Sequence, residues 1–89
     1  MKTMDELLQF RDQLDSLDKE LLALITKRIE IVKKVGEYKK KVGKAIVDPE
    51  REKQKIMSLI SANTSSDLTP EMIEKLWRTF FEVAYEVEQ

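Results

Sequence analysis

The chain has no cysteine and no histidine. The first absence excludes a disulfide framework and thiol chemistry. The second removes the commonest general base, the commonest zinc ligand and every Ser-His-Asp arrangement. Glycine and proline are scarce, two of each in 89 residues, and neither proline falls inside a periodic stretch. No apolar run is long enough to cross a bilayer, and the opening MKTMDELLQF has no apolar signal core, so a soluble, cytoplasmic chain is expected. An excess of one charge is also missing. Sixteen basic residues face seventeen acidic ones, for a net charge of −1. Nothing global would draw the protein to nucleic acid or to an anionic membrane. An anionic ligand would have to be held by a local cluster of cations.

What is present is a two-faced helical pattern, with 42% hydrophobic and 37% charged residues in a length that suits one domain, residues 1–89. The first periodic stretch runs from about Asp5 to about Val42, with Thr3 and Glu6 as a capping box before it. Leu7, Leu14, Leu17, Leu21, Leu24, Ile25, Val32 and Val35 recur along it at helical spacings. Gly36 reads as a mild weak point and Gly43 as the C-cap. A helix of about 38 residues spans about 57 Å. A compact monomer of this size has a radius of gyration of only about 12 Å. A second chain is therefore expected to cover the stripe, most simply in a symmetric dimer with the long helices side by side. Asp48 and Pro49 open a second helix and Thr69 and Pro70 a third, each pair in N-cap and N1 positions with a glutamate following. The second buries Ile56, Leu59 and Ile60 and ends near residues 61–63. The third carries the stripe Ile73, Leu76, Trp77, Phe80, Phe81, Ala84 and Val87. The expected class is all-α, three helices per chain, one of them very long.

Most of the charges suit a solvated face, including Lys33, Lys34, Lys40, Lys41 and Lys44. A few interrupt the apolar stripes. Arg28 lies four after Leu24 and four before Val32. Lys39, eleven residues on, looks within about 20° of the same direction. Arg11 borders the stripe about 25 Å of helix away from Arg28 and rotated by about 100°. It cannot share a small pocket with Arg28 of its own chain, but in an antiparallel dimer it can reach the partner's. On the second helix Glu52, four before Ile56, turns inward with Arg51 beside it. On the third, Glu88 ends the aromatic stripe, four after Ala84. Such charges can neutralise one another in buried pairs or snorkel outward. Because buried pairs stabilise poorly, a cluster of this size also fits a ligand site.

In order and spacing these elements resemble the all-helical chorismate mutases. The matching segments are L-x-x-F-R-x-x-L-D-x-L-D around Arg11, L-L-A-L-I-T-K-R ending at Arg28, V-G-E-Y-K ending at Lys39, and I-V-D-P-E-R-E with Asp48, Arg51 and Glu52. The likeness runs from about Leu7 to Gln89. It implies an intertwined homodimer that converts chorismate to prephenate, without metal or organic cofactor. By that resemblance Arg11 reaches across from the partner to a substrate carboxylate, and Arg28 holds a carboxylate within its own chain. Lys39 binds a carboxylate and the ether oxygen. Glu52 accepts from the substrate hydroxyl, with Asp48 near it and Arg51 in support. Val35 and Ala84 form the pocket wall. Arg28, Lys39 and Glu88 would do the catalytic work.

Two positions depart from the family pattern. Ala84 stands where a small hydroxyl residue is common, and Glu88 where glutamine is. An ionised carboxylate cannot donate to the ether oxygen, whereas a protonated one can. Burial in the aromatic stripe is therefore expected to keep Glu88 protonated, with Gln89 as the competing donor. Two alternatives stay open: isochorismate-pyruvate lyase on the same scaffold, whose members are expected to depart from the D-P-x-R-E pattern that this chain keeps at residues 48–52, and a non-catalytic helical dimerisation module.

Overall fold

Three of the helix boundaries fall at residues whose backbone chemistry suits them. A computed structural model describes residues 2–89, with side chains from Asp5 onward. It contains three helices, α1 (Lys2–Val42), α2 (Pro49–Ala62) and α3 (Pro70–Glu88), and the described residues include no strand. Gly43, at φ 74°, ends α1 in the left-handed conformation that glycine adopts without a Cβ clash. The Lys44 N–H then closes on the Lys39 carbonyl at 2.8 Å, a Schellman closure. Asp48 caps α2 by accepting from the Arg51 N–H, and Thr69 caps α3 by accepting from that of Met72, with Pro49 and Pro70 following them.

One expected boundary moves. Lys2 and Thr3 are already helical, so α1 begins earlier than Asp5. The Thr3 side chain, and with it the expected capping box, lies outside the described residues.

The chain divides into two compact units, Met1–Ile31 and Val32–Gln89. In the first, Leu7, Leu14, Leu17, Leu21 and Leu24 are all 44–61% exposed, so the stripe lies uncovered within this chain. In the second, α2 packs on α3 around Ile56, Ile73, Phe81 and Ala84. Trp77 meets Phe80 edge to face, with ring centroids 5.2 Å apart. Leu76, expected in the buried stripe of α3, is instead 48% exposed. The loop between α2 and α3 is tied by Asn63, whose amide donates to the Ser65 and Leu68 carbonyls and accepts from the Ser65 N–H.

Candidate functional site

The last turn of α3 presses on α1 at Gly36. A Cβ built there would stand 2.9 Å from the Glu88 Cα and 3.0 Å from its carbonyl oxygen, so only a residue without a side chain permits the approach. One helical turn further along α1 is Lys39. Its Nζ donates to Glu88 Oε1 at 2.6 Å and to the Ile46 carbonyl at 2.7 Å. The Gly43 turn brings Ile46 back over the helix. Both ends of the pair are sheltered, the side chains being 14% exposed at Lys39 and 5% at Glu88. The ammonium has three donors and these contacts use two. The expectation for Glu88 considered burial alone, but the structure sets a cation directly against the carboxyl.

Beside this pair a second network joins the start of α2 to α3. The Tyr85 hydroxyl donates to Glu52 Oε2 at 2.7 Å and accepts from the Asp48 N–H at 3.2 Å. Lys39 Nζ lies 6.0 Å from the centre of the same ring. Burial pushes the Tyr85 phenol above its usual value, and the nearby Glu52 and Glu88 carboxylates add to the shift. The Asp48 N–H opposes it. Tyr85 thus remains a donor throughout the neutral range. The other Glu52 oxygen is 3.6 Å from the Arg78 guanidinium, which also holds Glu74 one turn back along α3.

The expected residues fall into three groups. Lys39, Asp48, Glu52 and Glu88 lie in one cluster within residues 32–89, and Ala84 is buried one helical turn before Glu88. Arg51 was expected to support Glu52, but its side chain is exposed and the cation that reaches Glu52 is Arg78. Asp48 spends its carboxylate on the α2 cap. Val35, expected in the pocket wall, is 40% exposed in this chain. Gln89 is also exposed, its N–H bonded to the Tyr85 carbonyl and its own carbonyl to Lys40. Arg11 and Arg28 belong to the unit Met1–Ile31, where Arg11 is exposed and Arg28 half-buried.

Sequence reasoning missed Tyr85, Arg78 and the importance of Gly36. Tyr85 had a signal, since Trp77, Phe81 and Tyr85 step by four along the inner face of α3. Gly36 lies four after Val32 and three before Lys39, on the buried side of α1, where a missing side chain marks a close approach as readily as a weakness. Arg78 had only its spacing to Glu74, which reads as an ordinary surface pair.

Chemically the cluster offers one ammonium, one phenol and the carboxyl groups of Glu52 and Glu88, with no thiol or imidazole. It suits a reaction driven by holding a polar anion in shape and stabilising developing negative charge, more than one needing a nucleophile.

Comparison with known proteins agrees. The model of the chorismate mutase type II family matches residues 10–89. A T-protein of Enterobacter agglomerans is 40% identical over 80 residues, covering 90% of this chain and 21% of that protein. A T-protein of Haemophilus influenzae is 34% identical over 85 residues, 96% of this chain and 22% of that one. The chain thus spans about a fifth of the length of these two relatives. Among solved structures, a chorismate mutase of Thermus thermophilus superposes with a TM-score of 0.88 at 25% identity, covering 93% of each chain.

Proposed function

The chain belongs to the chorismate mutase type II family, and from that we propose that it converts chorismate to prephenate in aromatic amino acid biosynthesis. The rearrangement is a unimolecular pericyclic step. One C–O bond breaks and one C–C bond forms, with no obligatory proton transfer. A chain without histidine or cysteine loses nothing by their absence in such a step. What the protein must supply is a compact conformation of a flexible dianion and donors for the ether oxygen as charge grows there.

The observation that carries this reading is the sheltered Lys39–Glu88 pair beside the Tyr85–Glu52 network. Lys39 provides a fixed ammonium for the ether oxygen and a carboxylate. Glu52 accepts from the substrate hydroxyl, and Glu88 donates when it carries a proton. Arg28 holds a carboxylate from the same chain. Arg51 and Asp48 serve the site from the start of α2, while Val35 and Ala84 shape its wall. No helix among the described residues is long and apolar enough to cross a membrane. That accords with a small soluble substrate met in the cytoplasm.

Loss of chorismate absorbance with purified protein tests the activity, and the same assay with isochorismate separates a lyase. The donor role of Glu88 is checked by Glu88→Gln, whose amide donates without taking up a proton and is expected to keep or raise kcat, whereas Glu88→Ala is expected to lower it.

The bare leucine stripe of residues 7–24 supports a homodimer in which Arg11 enters the partner's site. Arg11→Ala and Arg28→Ala are each expected to be nearly inactive. After the two are mixed, unfolded and refolded together, half the dimers are mixed and hold one intact site each, restoring about a quarter of wild-type activity. No recovery would place both arginines in one chain's site.

A further inference from the structure

Glu52 is a carboxylate on a flexible side chain, yet its orientation in the site is set by a neighbour on another helix. Oε2 accepts from the Tyr85 hydroxyl at 2.7 Å. That hydroxyl is itself held, because it accepts from the Asp48 N–H at 3.2 Å. The Asp48 N–H belongs to the N-cap of α2, so the Tyr85 hydroxyl is tied to the start of the helix that carries Glu52 in its first turn. With donor and acceptor sides both engaged, the hydroxyl has a single favoured orientation.

We propose that Tyr85 is a positioning residue, whose hydroxyl holds the Glu52 carboxylate in the orientation that accepts the hydroxyl of the substrate. This rests on the mutase reading above and adds a residue to it. Three features of the site support it. Without the phenol, the cation left beside the Glu52 carboxylate is Arg78, 3.6 Å from Oε1. The Arg78 side chain is 55% exposed and already shared with Glu74, so it draws Glu52 toward solvent. An ionised carboxylate has about four lone-pair sites, so a bond to Tyr85 and an approach by Arg78 leave room for a ligand hydroxyl. Finally, Lys39 lies 6.0 Å from the ring centre while Glu52 meets the hydroxyl, so the one side chain borders both the ammonium and the carboxylate of the site. Since the phenol is pushed above its usual value, this support persists across the working pH range.

A double-mutant cycle tests it, with steady-state kinetics on chorismate for wild type, Tyr85→Phe, Glu52→Ala and the double variant. The substrate hydroxyl is not a reacting atom, so its hydrogen bond holds ground and transition states alike. Tyr85→Phe is expected to raise KM about ten-fold with kcat within about two-fold. In the Glu52→Ala background the same change is expected to leave KM within about two-fold, because nothing remains to be oriented. A purely structural role gives the opposite pattern, in which the active fraction and hence kcat fall equally in both backgrounds while KM stays put. Equal KM effects in the two backgrounds, or no KM effect in either, overturn the proposal and leave the mutase reading intact. A wild-type protein that does not consume chorismate overturns both.

Discussion

Lys39→Met is expected to lower kcat about 100- to 1000-fold, the range for losing one preorganised donor to a developing oxyanion. The substitution keeps the length of the side chain and removes the ammonium that meets Glu88 at 2.6 Å and the Ile46 carbonyl at 2.7 Å. It also leaves the Glu88 carboxyl, 5% exposed, without its cation. Removing one partner of a sheltered pair typically costs about 3–5 kcal/mol. At fixed protein concentration the melting temperature is then expected to fall by on the order of 10 °C. The double variant Lys39→Met, Glu88→Gln separates the two effects. It buries no unpaired charge, so it should recover most of the melting temperature while remaining as slow as Lys39→Met. If the double variant regains activity as well, the ammonium acts through stability and not on the reaction.

Gly36→Ala should destabilise the protein although helix propensity argues the reverse. In a helix interior alanine is favoured over glycine by about 1 kcal/mol. Here the new methyl would stand 2.9 Å from the Glu88 Cα and 3.0 Å from its carbonyl oxygen. Both are backbone atoms and cannot swing aside, so the end of α3 must withdraw from α1. Overpacking of this kind typically costs about 1–3 kcal/mol, which outweighs the propensity gain. The displaced Glu88 no longer faces Lys39 at 2.6 Å, and misplacements of about 1 Å can cost on the order of 100-fold in rate, so a loss of about 10- to 100-fold in kcat/KM is expected. Thermal denaturation and steady-state kinetics on the one variant check both signs. A raised melting temperature with unchanged kinetics would show that α3 does not need this approach.

These two residues illustrate how the sequence carries unequal information about its own structure. Lys39 is legible because a charge that interrupts an apolar period stands out against it, and the same applies to Glu52 and Glu88. Gly36 stands in the same phase, but a glycine carries no chemical sign of what approaches it. Its local cost could be read from the chain, whereas its packing role required the position of α3. Arg78 is the converse case, because Arg51 adjoins Glu52 in sequence but consecutive residues on a helix diverge by about 100°, and the cation 3.6 Å from Glu52 comes from α3.

The sequence by itself determined three helices and nearly all their limits, because capping, proline placement and a left-handed glycine act within a few residues of one another. It also determined which carboxylates and cations turn inward, since helical phase is a local property. Only the tertiary structure decided who meets whom. The Lys39–Glu88 pair spans 49 positions and the Tyr85–Glu52 bond 33. Contacts that distant depend on how α2 folds back on α3 and how closely α3 approaches Gly36. Periodicity along a helix carries no information about the neighbouring helix's distance or register.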